Sequence, residues 1–435
     1  MYIQKIALQN FKSFSNIEVS FHPQLTVMVG VNGSGKTSIL EGVAIALSTM
    51  FVKMDGVSGR GIDKGQAHLK AFSVGSTKDV QAQYPVVVKA EAELKSGVIE
   101  WTRSLNKPDG SITVGRAKAM IDLGVSIQEH LRKGDTSVIL PVIAYYGTGR
   151  LWDYHREKQS NVFETNNRVN GYIDCVDGTA NIKLMMNWFS KMTILKYQNQ
   201  ELGLGAVPEL EAVYFAMEQC YKRITGNKSV KIQYNLGTRE LEVSYRETNG
   251  ELMRMSINQL SDGYKSTISL VADIAYRMAV LNPQLLGEVC SETDGVILID
   301  EVDLHLHPTW QQRILSDLTA IFPKVQFIVS THAPAVINTV KSENVVMLDD
   351  GEAYMPSGEV HGKDTNTIIS SVMRSCERPV EIKDWFKRFY SYLDANEAEQ
   401  AEQVLQGLKS AIGEDDSEIA ACNVKLKLLK MRMGK

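Results

Sequence analysis

The sequence predicts an α/β protein in which parallel strands are covered by helices, and three observations carry that expectation. A short apolar strand, Leu25–Val29, runs into the glycine-rich turn Gly30–Gly35 and then into a helix from about Lys36 to Met54. A second apolar strand, Val296-Ile-Leu-Ile, ends in the acidic pair Asp300-Glu301. From Gln259 to Leu348 the pattern alternates helix, strand VILID, helix, strand QFIVS, helix, strand VVML. Such alternation argues for parallel strands packed under helices.

The remaining elements follow in order. Tyr2–Leu8 and Ile17–Phe21 read as strands, because short apolar or alternating runs are separated by Asn, Ser and Pro. Residues 55–80 are rich in Gly, Ser and Lys and read as a surface loop. PVVVKAEAEL and VIEWTRSL form antiparallel β material turned at Lys95-Ser96-Gly97, and a helix near 116–132 leads to the strand VILPVIAYYG. Residues 182–224 read as two helices broken at Gly203–Pro208, followed by a meander, KIQYNL, ELEVSY and ELMRMSI, with turns at Gly237 and Asn249-Gly250. Beyond about Asn366 the chain is mostly helical, with Ile382, Trp385, Phe386, Phe389 and Leu393 at helical spacing.

Length and composition bound the reading. A chain of 435 residues suggests two or three domains, and 44% hydrophobic with 23% charged residues is ordinary for a globular protein. A net charge of −4 means that any nucleic-acid contact must use a local basic surface. Five cysteines (Cys175, Cys220, Cys290, Cys376 and Cys422) lie far apart, which suits a reducing compartment better than a disulfide framework. No apolar run approaches the roughly 20 residues that span a bilayer, and the first residues lack a signal-peptide core. A cytoplasmic protein without membrane contact is therefore the expectation.

Gly30-Val-Asn32-Gly33-Ser34-Gly35-Lys36-Thr37 fits GxxxxGK[ST] between a strand and a helix, the context that this motif requires. Its glycines let backbone N–H groups converge on phosphates at a helix N-terminus. Asn32 to Ser38 thus form the expected ATP site, with Lys36 on the β/γ-phosphates and the Thr37 hydroxyl on Mg²⁺. Asp300 is the second expected Mg²⁺ ligand, and Glu301 the general base that polarises the attacking water.

Leu260-Ser261-Asp262-Gly263-Tyr264-Lys265-Ser266 precedes a helix and resembles the LSGGQ signature of ABC-type ATPases, in the form used by their RecF/SMC branch. Ser330-Thr331-His332 ends a strand and is similar to the switch-histidine position of the same family. The resemblance covers about residues 1–50 and 255–350. It implies an ABC-type ATPase head with an antiparallel β subdomain, a short helical insertion and a C-terminal helical region. It also implies that Ser261 and Gly263 of one copy close over the γ-phosphate held by another, while His332 senses that phosphate within its own copy. Read alone, Ser261 is a helix cap. The N-terminal segment Ala7-Leu-Gln-Asn-Phe11-Lys12-Ser-Phe14 resembles a further mark of the RecF/SMC/OLD-type branch. It places Lys12 near the nucleotide, with a solvated lysine as the alternative.

Two departures from the pattern stand out. No clear Q-loop glutamine is present, and Tyr145-Tyr-Gly-Thr-Gly149-Arg150 stands about where that segment is expected. The gap between Lys36 and Ser261 is too short for long coiled-coil arms. Asp303 takes the D-loop position, and His305-Leu-His307-Pro308 reads as a loop shaped to enter a helix at Pro308 rather than as a metal pair. The expected organisation is residues 1–180 and 229–350 as the two parts of the head, 181–228 as the helical insertion and 351–435 as the C-terminal region.

No Toprim or HNH pattern follows the head, so no nuclease activity is expected of this chain itself. Gly362-Lys-Asp364-Thr-Asn366 and the helices through Arg378-Pro379-Val380 and Gly413–Asp416 resemble the PtuA-like ATPases of Septu and retron anti-phage systems. That likeness implies homo-oligomers built on ATP-sandwich dimers and a separate HNH nuclease of the PtuB kind as partner. The alternative is a RecF-like repair or maintenance ATPase that clamps DNA, in which DNA itself is the partner. The basic end (Lys425, Lys427, Lys430, Arg432, Lys435) reads either as a solvated helix end or as a phosphate-backbone contact.

Overall fold

The computed structural model describes residues 1–149, 167–178, 181–246, 250–374 and 377–433. Arg150, Asn249, Cys376 and Lys435, singled out above, lie outside these. The chain forms two compact units, Met1–Lys363 and Asp364–Lys435.

The first unit is α/β, as the alternation predicts. Its central sheet has six strands in the order β15 (Glu352–Tyr354), β14 (Val345–Asp349), β3 (Leu25–Gly30), β13 (Val325–Ser330), β12 (Gly295–Ile299), β8 (Val142–Tyr146). All neighbours are parallel except β15, which folds back against β14. Central strands of a covered parallel sheet have both faces buried, and β12 and β13 are buried at every residue. Helix α1 (Lys36–Leu47) follows β3.

A four-stranded antiparallel sheet, β2 (Phe14–Ser20), β1 (Tyr2–Phe11), β6 (Val86–Leu94), β7 (Gly97–Leu105), lies beside it. In β6 the alternation Val86, Val88, Ala90, Ala92 is the buried set, which fixes one face toward the core. Side chains of β7 also explain why α1 is shorter than its periodicity suggests. Trp101 Nε1 donates to the Ala46 carbonyl at 3.0 Å and buried Arg103 donates to the Ile45 carbonyl at 3.1 Å. The α-helix ends at Leu47 and tightens into a 3₁₀ turn over Ser48–Phe51. Burial lowers the Arg103 guanidinium to about 10.

Residues 55–80 are not wholly loop. Strands β4 (Leu69–Val74) and β5 (Thr77–Ala82) pair through a two-residue turn in which Gly75 has φ +61°. Two-residue hairpin turns need such left-handed backbone. Every residue of this hairpin is exposed, so it carries no core-facing alternation by which to recognise it.

Helix α2 (Lys118–Arg132) precedes β8. Helices α3 (Ile182–Leu202) and α4 (Pro208–Thr225) follow, the first ended by Gly203 at φ +69° and the second begun with Pro208 in its first turn. The meander β9 (Lys231–Asn235), β10 (Glu240–Arg246), β11 (Leu252–Ser256) follows, and helix α5 (Asp262–Leu281) leads back to the central sheet. Helix α6 (Ile314–Ile321) connects β12 to β13.

The second unit contains the helices α7 (Val380–Asp394), α8 (Ala398–Ile412) and α9 (Ser417–Arg432), the first two amphipathic, around Phe386, Phe389, Leu405, Leu408, Ile419 and Cys422. Asp416 caps α9 by accepting from the Glu418 and Ile419 N–H groups, and Arg378 donates both guanidinium nitrogens to it at 2.9 and 3.0 Å. No described helix is long and apolar enough to cross a membrane.

Candidate active site

The site lies where β3, β12 and β13 end side by side. Parallel pairing puts the C-terminal ends of these strands on one edge, which is where open α/β sheets bind ligands. From β3 the chain turns through Gly33 at φ +83° and Gly35 at φ +97° before entering α1. A Cβ on Gly35 would stand 2.2 Å from the Phe14 ring and 2.7 Å from Ser13 Oγ. The N-terminal hairpin turn therefore supports the glycine loop from beneath.

Lys36 is 6% exposed and donates through Nζ to the carbonyls of Gly30 at 2.9 Å and Val31 at 3.1 Å. Burial lowers its ammonium from the ordinary lysine value, opposed by the charges of Asp300, Glu301 and Asp303. Asp300, 2% exposed, accepts from Thr37 Oγ1 at 2.7 Å and from Ser330 Oγ at 2.5 Å. Ser330 in turn accepts from the Glu301 N–H at 2.8 Å. One buried hydroxyl thus ties both acidic residues to the end of β13. Glu301 sits at φ +49°, a backbone strain that a functional edge can hold.

Asp303 accepts from Thr331 Oγ1 at 2.5 Å, and Thr331 accepts from the Ala333 N–H. These bonds shape the loops on either side of half-buried His332. Burial and the Lys36 charge lower the His332 pKa, with Glu301, Asp303 and Asp300 opposing. The net direction favours the uncharged imidazole.

The residues present fit an ATP–Mg²⁺ group. Thr37 and Asp300 supply hard oxygen donors, which suit Mg²⁺. Among the described residues the Ser34 hydroxyl, buried in the loop, has no hydrogen-bond partner. A buried lysine beside a helix N-terminus supplies the field that phosphates need.

Lys12 stands on the neighbouring hairpin turn at φ +49° and forms an ion pair with Glu41 of α1. Arg60 reaches the same carboxylate at 3.2 Å and lies over the Tyr145 ring at 5.7 Å. Glu41 and Arg60 were not legible beforehand. Glu41 lies on α1 without a motif, and Arg60 lies in a glycine-rich stretch with no periodicity.

The signature segment is built separately. Ser261 occupies the N-cap of α5, yet its side chain makes no capping bond and is exposed. A Cβ on Gly263 would meet the His305 carbonyl at 2.7 Å and the Trp310 ring at 2.9 Å. Tyr264 packs on the same ring at 4.3 Å. Among the described residues no hydrogen bond joins Ser261 or Gly263 to residues 30–38. His307 caps the turn that begins at Pro308, accepting from the Thr309 N–H.

A buried network links α5 to the nucleotide edge. Tyr146 OH donates to Asp273 at 2.7 Å, as does Arg277 Nε, and Asp300 N–H donates to the Tyr146 carbonyl. Burial disfavours the Arg277 charge most, but Asp273, Tyr146 and Cys175 together outweigh it and hold the guanidinium above its ordinary value. Burial, then Asp273, raises Tyr146 well above the usual phenol range.

Residues 5–259 match the family model described as the AAA domain. The chain belongs to that family. It is 25% identical to the Retron Ec83 probable ATPase of Escherichia coli, over 88% of this chain and 78% of that one. It is 24% identical to the Retron Vc95 probable ATPase of Vibrio cholerae, over 87% and 80% of the two chains. Identity to the Septu protein PtuA of Bacillus mycoides is 24%, over 90% of this chain and 47% of that protein. A solved SMC head bound to the C-winged helix domain of ScpA aligns at 16% identity, over 82% of this chain and 97% of that one, with a TM-score of 0.48. The retron and Septu relatives agree with the resemblance drawn from the motifs.

Proposed function

We propose that this AAA-domain protein is the ATP-binding and ATP-hydrolysing subunit of an anti-phage defence complex, in which two copies sandwich ATP and so control an associated nuclease. The observation that carries the ATPase reading is the chain of bonds from Thr37 through Asp300 and Ser330 to Glu301, set beside buried Lys36. Thr37 and Asp300 would hold Mg²⁺, which when bound neutralises charge on the β/γ-phosphates. Lys36 and the N–H groups of residues 33–38 bind the phosphates. Glu301 takes the proton of the attacking water, and His332 donates a hydrogen bond toward the γ-phosphate. Ser261 and Gly263, unbonded to the glycine loop of their own copy, serve the loop of another. The defence role and the partner nuclease rest on the likeness to retron ATPases and to Septu PtuA.

Two variants test this reading. Lys36→Ala loses ATP binding, while Glu301→Gln binds ATP, turns over at least about a hundredfold more slowly and accumulates as an ATP-bound dimer. Wild-type turnover by Glu301→Gln overturns the base assignment. Affinity purification from the native host then separates the roles, since a stoichiometric nuclease is expected to co-purify. A second reading, a RecF-like DNA clamp, is favoured by 28% identity to the DNA replication and repair protein RecF of Cytophaga hutchinsonii over 28% of this chain. It requires ATP-dependent DNA binding that weakens steeply with salt.

A further inference from the structure

We propose that α9 is a self-association surface that pairs antiparallel with α9 of a second copy of this chain. The proposal does not rest on the ATP-sandwich reading. An amphipathic surface helix turns one apolar stripe inward and charges outward. Helix α9 instead carries two stripes. Ile419, Cys422, Leu426 and Leu429 face the core of the C-terminal unit. Ala421, Val424, Leu428 and Met431 recur at the same three-four-three spacing on the opposite side and are exposed, the last three at 60%, 53% and 63%.

Charge along the helix selects the partner. The entry to α9 is acidic (Glu414, Asp415, Asp416, Glu418) and its second half basic (Lys425, Lys427, Lys430, Arg432). Within the unit Arg378 offsets one of the charges on Asp416 and Glu418, Lys409 pairs with Glu414, and Lys430 pairs with Glu402. Lys425 lies over the Tyr390 ring at 4.6 Å. A parallel pair would stack basic half on basic half. The antiparallel pair that sets Val424 against Leu428 sets Ala421 against Met431, small opposite large. It also leaves Arg432 of each copy within about one helical turn of Asp416 and Glu418 of the other. The arrangement is two-fold symmetric and self-complementary, so it closes at two copies. A single helix pair of about 24 Å falls below the usual size of a stable interface. It is therefore a weak contact, one that reinforces any other contact between the same copies.

Sedimentation velocity of the full chain tests this without nucleotide, in wild type and in Lys36→Ala, across about 1 to 100 µM, the range in which so small an interface would titrate. Both proteins are expected to show a dimer fraction that rises with concentration and falls with salt. Val424→Glu with Leu428→Glu should raise the dimer dissociation constant about a hundredfold or more, tenfold or more for each apolar side chain withdrawn. The urea midpoint should stay at the wild-type value, because both side chains face away from the core. If it shifts, Leu428→Gln alone replaces the double variant, with a tenfold loss expected. A wild type that stays monomeric throughout, or variants that associate like wild type, overturns the proposal. Failure here leaves the ATP-bound dimer of Glu301→Gln untouched, and the reverse also holds.

Discussion

Ser330→Ala removes a buried hydroxyl that joins both acidic residues of the site. Ser330 is 0% exposed, so nothing replaces its bonds to Asp300 at 2.5 Å and from the Glu301 N–H at 2.8 Å. Removing a hydrogen bond to a carboxylate costs about 1.5–3 kcal/mol, which corresponds to roughly 10- to 150-fold in an equilibrium. Outer partners of a metal-holding carboxylate carry similar weight, with losses of about 10- to 100-fold in metal affinity. The expected result is therefore a 10- to 100-fold rise in the Mg²⁺ concentration that half-saturates ATP hydrolysis. Turnover at saturating Mg²⁺ should fall as well, because the Glu301 backbone loses its anchor. The assay is steady-state phosphate release, titrated in Mg²⁺ at fixed ATP and paired with urea unfolding. Unchanged Mg²⁺ dependence together with unchanged turnover would refute the claim that Ser330 organises the two acids.

Further expectations follow from the same geometry. Gly35→Ala puts a methyl into the Phe14 ring at φ +97° and should cost about 2–5 kcal/mol in urea unfolding, with loss of ATP binding. Asp273→Asn leaves Arg277 buried without its counter-charge and should destabilise by about 3–5 kcal/mol, read as a lower urea midpoint. His332 has a folded pKa below the unfolded value, so the unfolded chain binds more protons as pH falls from about 6.5, and the stability His332 contributes declines in that direction. Urea unfolding from pH 8 to pH 5 should show that decline in wild type and a shallower one in His332→Gln.

Local chemistry made much of the site legible in the chain itself. The glycine loop with Lys36 and Thr37 sits within one strand–loop–helix unit, and Asp300-Glu301 ends a second apolar strand, so each pattern is readable from neighbours in sequence. The break at Gly203–Pro208 was readable for the same reason, since left-handed backbone and a proline are requirements of the residues concerned. What sequence could not supply were partnerships between residues distant along the chain. Ser330 lies 30 residues from Asp300, Arg103 lies 58 from Ile45, and Tyr146 lies 127 from Asp273. No periodicity encodes such pairings, because they arise only when elements distant along the chain pack together: β13 beside β12, β7 against α1 and β8 against α5. The tightened end of α1, the exposed hairpin and the support of Gly35 by Phe14 belong to this second class. Each depends on which surface packs against which, and that is decided by burial across the whole unit rather than by neighbours in sequence.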